Sequence, residues 1–264
     1  MNREEFKNYL KTEEKRVFKG WDFSYLDGRW DGEHIPWDYK KIVLSYLNTE
    51  HKLLDMGTGG GEFLLTLNHP FNNISVTEAY PPNIEICRMR LEPLGVTVKQ
   101  IFDDSVLPFA DSSFDIVINR HEAYDVGEVN RILKNEGYFI TQQVGGRNDE
   151  DLAEKLINDG ESIHPDHDLK NNVKSFKDNG FDILKSKESF SPIRFYDTGA
   201  LVYFAKIIEW EFPGFSVDAY FDNLCKIEEE INKTGYIEGT EHRFIIAAKK
   251  TKNCKRTGIL KLNY

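Results

Sequence analysis

From residue 51 onward the chain alternates two patterns. Short runs of β-branched and aliphatic residues occur at 52–56, 74–77, 96–102, 114–119, 138–144, 181–184 and 243–248. Between them apolar residues recur at helical spacing over 62–67, 82–94, 127–133, 148–158 and 168–179. Gly95 and Gly137 stand where left-handed helix C-caps belong, and Gly180 closes the last of these helices. Strand and helix patterns in alternation are the mark of βαβ units. The prediction is an α/β fold with a seven-stranded, mostly parallel sheet flanked by helices.

Two segments fall outside the alternation. Residues 1–50 carry Trp21, Trp30 and Trp37, three of the four tryptophans, and a helical pattern from Pro36 through Leu47. Residues 191–239 separate the last two strand runs and are dense in aromatics, among them Phe195, Tyr196, Tyr203, Phe204, Trp210 and Phe212. Such aromatics either pack onto the main body or line a pocket. The expected organisation is an N-terminal helical lid segment (1–50), a core (51–190 and 240–250), a helical insertion forming a cap (191–239) and a basic tail (251–264).

Composition narrows the class. Of 264 residues, 40% are hydrophobic and 30% charged, enough to build a core and unlike a disordered chain. The richest apolar stretch, 199–208, is broken by Lys206 and falls short of the roughly 20 residues a membrane span needs. The first ten residues mix both charge signs and lack the apolar segment of a secretory signal, so a cytoplasmic location is expected. Cys87, Cys225 and Cys254 are widely spaced, which supports neither a disulfide framework nor a metal site. The net charge of −10 opposes a phosphate backbone, so nucleic acid is not the indicated partner. Against that average, the end of the chain holds Lys249, Lys250, Lys252, Lys255, Arg256 and Lys261 with no acid, either a phosphate-seeking arm or a solvated terminus.

The most informative segment is Leu53-Leu-Asp-Met-Gly-Thr-Gly-Gly-Gly-Glu-Phe-Leu64, an apolar strand running into Asp55-x-Gly57-x-Gly59-Gly60-Gly61 and then a helix. Glycines let the chain turn sharply and let a ligand approach the backbone. A dinucleotide fingerprint would need glycine at position 62, where Glu62 stands, and its carboxylate would repel a pyrophosphate. No Gly-Lys-Ser/Thr follows, so a Walker loop is absent too.

The glycine segment resembles motif I of the class I S-adenosylmethionine-dependent methyltransferases. Three further segments are similar to the family in order: Phe102-Asp103-Asp104-Ser105-Val106-Leu107-Pro108-Phe109, with Phe102 where the family has glycine; Phe114-Asp115-Ile116-Val117; and Val129-x-Arg131-Ile132-Leu133-Lys134-x-x-Gly137, with Asn135 and Glu136 in place of Pro and Gly. Glu78 follows the second strand run, seventeen residues after Gly61, where an acid can accept from ribose hydroxyls. The resemblance covers about 52–144 and implies a Rossmann-like fold and S-adenosylmethionine as cofactor. By that resemblance Asp55, Gly57, Thr58, Gly59 and Gly61 hold its methionine portion, Glu78 and Ala79 its ribose, and Asp103 or Asp104, with Ser105, its adenine, while Asn119 closes the cofactor site. The neutral alternatives are a turn-capping Asp55 and a solvated Glu78.

After the fourth strand, Asn119-Arg-His-Glu-Ala-Tyr124 stands where family members reach toward the methyl group. His121 is a candidate general base or a cofactor-packing residue. Glu122 and Tyr124 are further candidates. Trp30, Arg194, Tyr196 and Asp197 are the expected contacts to a small-molecule acceptor, and no metal is expected. Asn/Asp-Pro-Pro-Tyr at that strand end and a Pro-Cys dipeptide are both missing, so DNA base methylation is not indicated. The expected activity is methyl transfer by in-line displacement, with three rivals: an RNA methyltransferase using the basic tail, a non-catalytic S-adenosylmethionine sensor, and a nucleotide-dependent oxidoreductase.

Overall fold

A computed structural model describes residues 1–18, 23–32, 35–162 and 164–252. Trp21 and the tail beyond Lys252, including Cys254, Lys255, Arg256 and Lys261, lie outside them. The first half of the chain runs α1 (Arg3–Glu14), β1 (Trp30–Gly32), α2 (Tyr39–Tyr46), β2 (Leu53–Met56), α3 (Glu62–Leu65), β3 (Ile74–Glu78), α4 (Pro81–Leu91), β4 (Thr97–Gln100) and β5 (Phe114–Arg120). The second half runs α5 (Val126–Ile132), β6 (Leu133–Val144), α6 (Glu150–Ile157), α7 (Leu169–Asp178), β7 (Phe181–Phe195), α8 (Thr198–Ile207), α9 (Phe221–Thr234) and β8 (Ile237–Lys250). Among the described residues no helix is long and apolar enough to cross a membrane.

The sheet has eight strands in the order β1-β7-β8-β6-β5-β2-β3-β4, not seven. The additional strand is β1, whose Trp30, Asp31 and Gly32 pair antiparallel with Phe195, Arg194 and Ile193. A three-residue edge strand has too few positions to show a period. Gly137, expected as a helix C-cap, instead lies inside β6, which starts at Leu133. A Cβ there would come within 2.9 Å of the Lys134 carbonyl and 3.1 Å of the Asp115 carbonyl, so close packing of backbone explains the glycine. The aromatic segment expected to be helical from 191 begins as the end of β7, and its helices are α8 and α9.

The described residues form two compact units. One comprises Tyr39–Thr141, Val173–Ser186 and, of the end of the chain, the described residues 246–252. Its strands β2, β3, β4 and β5 are parallel, and β2 is buried at all four positions, as a strand covered on both faces must be. The registers place Met56 beside Thr77 and Asn119, and Glu78 beside Gln100, so the C-terminal ends of neighbouring strands come out on one rim. Arg131 explains why two sequence motifs travel together: its guanidinium donates to the Leu107 and Phe109 carbonyls at 3.1 and 2.8 Å and to Glu128 and Asp111. Lys249 pairs with Glu136, and the buried Lys250 ammonium donates to the Asn130 and Leu133 carbonyls, so two cations of the basic end serve the fold.

The other unit comprises Met1–Asp38, Gln142–Asn172 and Lys187–Ile245. Its core gathers Phe6 and Leu10 of α1, Leu152 and Leu156 of α6, the buried run from Ala200 to Ala205 of α8, and Leu224 and Ile227 of α9. The apolar stretch around 199–205 is thus a buried helix. Asn2 caps α1 by a reciprocal bond with Glu5.

Candidate functional site

The strand–turn–helix segment is built as its glycines require. Gly57, Gly59 and Gly61 take φ of +65°, +61° and +79°, left-handed values that side chains resist. The Gly57 and Thr58 amides both donate to the Thr77 carbonyl at 3.1 Å, which fixes the turn to β3. Thr58 Oγ1 donates to Asp55 Oδ2 at 2.7 Å. Asp55 therefore ties the turn from inside the sheet. Burial pushes its carboxyl up to about 7; the Thr58 bond and the Arg120 charge act in the opposite direction, and Glu78 adds to the rise.

Glu78, at the end of β3, is buried and bonded at both oxygens. Oε2 accepts from the Gly59 amide at 2.8 Å, and Oε1 accepts from the Ala79 and Tyr80 amides at 3.0 and 2.9 Å. A carboxylate held this way has lost its rotational freedom but keeps free lone pairs. The Cys87 thiol donates to the Gly59 carbonyl at 2.8 Å and Arg90 to the Gly60 carbonyl at 2.8 Å, two supports of the turn that no motif signals.

The adjacent acids after β4 differ. Asp103 is exposed, and its Oδ1 accepts from the Ser105 amide and hydroxyl at 2.8 and 2.6 Å, which hold its carboxyl below the ordinary range. Asp104 is half-buried, and burial, with Asp103 beside it, pushes its carboxyl up. Its Oδ1 is sealed from solvent with no hydrogen-bond partner. Thr77 Oγ1, at the end of β3, is in the same condition.

The residues after β5 form the other side of the turn. Asn119 is fully buried; its side-chain Oδ1 accepts from Thr141 Oγ1 at 2.9 Å, and its backbone carbonyl accepts from the Tyr39 hydroxyl at 3.0 Å. His121 is exposed and left-handed at φ +61°. Glu122 folds back against the glycines: a Cβ on Gly57 would stand 2.5 Å from Glu122 Cγ and 2.7 Å from Oε2. Burial first, then Asp104 and Glu78, push the Glu122 carboxyl up to about 7, and a backbone bond at Ala123 lowers it. Tyr124 packs edge-on against Phe139 and Phe176, with centroids 5.2 and 6.0 Å away, and burial raises its phenol. Its ring is part of a core cluster.

Trp30, Arg194 and Tyr196 belong to the other compact unit. Trp30 stacks on Phe23 at 5.7 Å and touches Phe195 and Phe204. Arg194 pairs with Glu238 at 2.7 Å and lies over the Tyr236 ring. Tyr196 is 41% exposed. Asp197 caps α8 through the Ala200 amide and takes Arg29 at both oxygens, at 2.9 and 2.6 Å. Among the described residues no three His, Cys, Asp or Glu side chains are grouped to hold a metal ion.

A parallel sheet with a left-handed glycine turn after one strand and an anchored acid at the end of the next defines a domain for a nucleoside-bearing cofactor. Residues 54–141 match the family model described as a methyltransferase domain, which supports a class I S-adenosylmethionine-dependent methyltransferase with S-adenosylmethionine as its cofactor. The chain is 27% identical over 119 residues to demethylmenaquinone methyltransferase of Thermus thermophilus, an alignment covering 41% of this chain and 54% of that one. It is 30% identical over 108 residues to YcgJ, an uncharacterized methyltransferase of Bacillus subtilis, covering 38% of this chain and 43% of YcgJ. The chain thus spans about half or less of the length of these relatives. The crystal structure of YcgJ superposes with a TM-score of 0.52 at 19% identity, covering 81% of this chain and 99% of that one. A protein of unknown function from Deinococcus radiodurans R1 gives a TM-score of 0.56 at 11% identity, covering 86% and 96%.

The residues of the turn fit the cofactor. Gly59 has nothing within 4 Å of where a Cβ would stand, Glu78 is fixed beside it, and Asp104 offers an orphaned buried acceptor. Glu122 is a further residue near the turn that the motifs understate; its sequence signal is its place after the fourth core strand.

Proposed function

We propose that this chain transfers a methyl group from S-adenosylmethionine to a small-molecule acceptor by in-line displacement. The observation that carries this reading is the Glu78 carboxylate, anchored by the Gly59 amide at 2.8 Å beside a left-handed glycine turn. When bound, the cofactor supplies an electrophilic methyl group on a positively charged sulfur. The protein's own residues hold and orient. The backbone of the 57–61 turn faces the amino-acid portion, Glu78 accepts from the ribose hydroxyls, and Asp104 rather than Asp103 accepts from the adenine amine, since only Asp104 keeps a buried oxygen in need of a donor. Asn119, bonded on both sides, sets the start of the loop that carries His121 and Glu122 toward the reacting end. Orientation of this kind can offset about 7 to 11 kcal/mol of a bimolecular barrier, so a dedicated base is optional.

The small-molecule acceptor is supported by the acidic net charge of −10 and by a relative named for demethylmenaquinone. On the acceptor side we assign Tyr196 and Arg194, with Trp30 supporting them through its packing. A cytoplasmic location completes the reading. The test is direct: thermal-shift and calorimetric titration with S-adenosylmethionine, S-adenosylhomocysteine and NAD. Binding of the first two and not of NAD is expected; binding of NAD alone would replace the reading with an oxidoreductase. Release of S-adenosylhomocysteine in the presence of small-molecule acceptor pools, and not of RNA, then separates the acceptor classes.

A further inference from the structure

We propose that the cavity beside the end of β6 and the start of α6 is a binding site for a small organic ammonium ion, with Glu211 as the carboxylate that receives it. The cavity lies wholly within the unit of Met1–Asp38, Gln142–Asn172 and Lys187–Ile245, so the proposal goes beyond the cofactor reading and does not depend on it.

The cavity encloses about 130 Å³. Its walls are the strand end at Val144 to Gly146, the first turns of α6, the residues around His164 and His167, and the pair Trp210 and Glu211. Gly146 brings these walls together: its amide donates to the His167 carbonyl at 2.7 Å, and a side chain there would collide with the His164 carbonyl. A cavity of about 150 Å³ holds benzene, so this one has room for a molecule of roughly six non-hydrogen atoms. Among the described residues that line it there is no lysine or arginine, whereas Glu150, Glu161 and Glu211 all do. Glu150 is paired with Arg147 at 3.3 Å, and Glu161 is exposed.

What marks Glu211 is a shortage of hydrogen-bond donors behind it. Asn148 Oδ1 accepts from the His242 amide at 3.0 Å and from Arg243, which turns the Asn148 nitrogen toward the acids. That nitrogen has two hydrogens, yet it stands 2.8 Å from Asp149 Oδ2 and 2.9 and 2.8 Å from the two Glu211 oxygens. Trp210 adds one donor to Glu211. The fourth oxygen, Asp149 Oδ1, has no donor, in a side chain that is 1% exposed. Asp149 stands at the N-cap of α6 but makes no capping bond; it turns to Glu211 instead. Burial first, and then Glu211, push the Asp149 carboxyl well up, with Arg243 opposing and Glu241 adding. Burial raises Glu211 too, against its bonds to Asp149, Asn148 and Trp210 and the Arg243 charge. An empty site meets the shortage with a proton held between the two acids; a ligand meets it with hydrogens of its own.

The chemistry of that ligand follows. An ammonium brings three hydrogens and a positive charge, and the aromatic wall of Trp210 favours a cation. An alcohol brings one hydrogen and no charge, and a carboxylate is repelled. A metal ion does not fit, since among the described residues no three ligating side chains are grouped to hold one.

The experiment is calorimetric titration of the full chain, without S-adenosylmethionine, with three probes of one shape: cyclopentylamine, cyclopentanol and cyclopentanecarboxylate. At about pH 7.5 the amine is a cation, as a lysine side chain is. Expected is binding of the amine at least about tenfold tighter than of the alcohol, with the carboxylate weaker still. Glu211→Gln keeps the shape and offers Asp149 an amide donor, so the variant should melt no lower than wild type while its affinity for the amine falls to that for the alcohol. The Trp210 indole N–H resonance, assigned by its loss in Trp210→Phe, should shift in wild type on adding the amine, which locates the ligand even where Glu211→Gln does not fold. Equal affinity for amine and alcohol, no binding of the amine, an affinity unchanged in Glu211→Gln, or an indole resonance that stays still would each overturn the assignment. None of these results bears on the glycine turn, whose own test is titration with S-adenosylmethionine.

Discussion

The Glu78 carboxylate accepts a hydrogen bond from the Gly59 amide at 2.8 Å across nineteen residues of sequence, so the acid at the end of one strand is oriented by the glycine turn after its neighbour. The turn and the acid are one structure. Removing the acid should therefore act twice, through the lost ribose acceptor and through a loosened turn. Glu78→Ala is expected to weaken S-adenosylmethionine binding by about 1 to 3 kcal/mol, the cost of a charged hydrogen-bond partner. Calorimetry reads it, and an unchanged dissociation constant would remove Glu78 from the site.

The two acids after β4 make a paired test. Asp103 already spends its Oδ1 on Ser105, whereas Asp104 holds a buried oxygen with no partner. Asp104→Ala should weaken cofactor binding by about 1 kcal/mol or more, and Asp103→Ala by much less. The reverse order would return the adenine contact to Asp103.

How far the sequence reveals this molecule depends on what each segment has to bury. The strands around the glycine turn are legible because a parallel strand covered on both faces must be apolar at nearly every position, as Leu53 to Met56 are. The outer part of β7, Lys185 to Glu188, is exposed and polar, so its pairing leaves no trace in hydrophobicity. Gly137 reads as a helix C-cap; the left-handed residue is instead Glu136, at φ +66°, within a continuing strand. In the site, the glycines and Glu78 announce themselves by spacing. The choice between Asp103 and Asp104 does not, because neighbouring acids are separated only by how the loop buries one of them. Glu122 is hidden for the same reason: its approach to Gly57 is a product of the left-handed His121, not of any motif.

Arg131 gives a prediction about the fold rather than the ligand. Its guanidinium donates to the Leu107 and Phe109 carbonyls at once, and an alanine would remove that donor from both, leaving the Leu107 carbonyl only the Phe109 amide and Glu128 only the Leu107 amide. Arg131→Ala should destabilise by about 1 to 3 kcal/mol, and Arg131→Lys should recover only part of that, since an ammonium cannot span the same acceptors. Denaturant unfolding measures the difference. Cofactor affinity should also fall in the alanine variant, because the 107–109 segment continues the loop that bears Asp104.

Asp55 predicts a pH dependence whose sign is unusual for a carboxylate. Burial raises its carboxyl from 3.8 to about 7, so the folded state keeps a proton that the unfolded chain releases near pH 4. The folded state then binds more protons across that window, and stability must fall, not rise, as pH increases from about 4 to about 7, at a slope of at most about 1.4 kcal/mol per unit for one group. Below the window the contribution is fully present. Glu122, also raised to about 7, adds in the same direction. Asp55→Asn keeps an acceptor for Thr58 Oγ1 but cannot ionise, so urea midpoints taken across the window should decline less steeply in the variant than in wild type. Parallel curves would mean that Asp55 is already ionised in the folded protein, balanced by Thr58 and Arg120, and the turn would then rest on a charged rather than a neutral carboxyl.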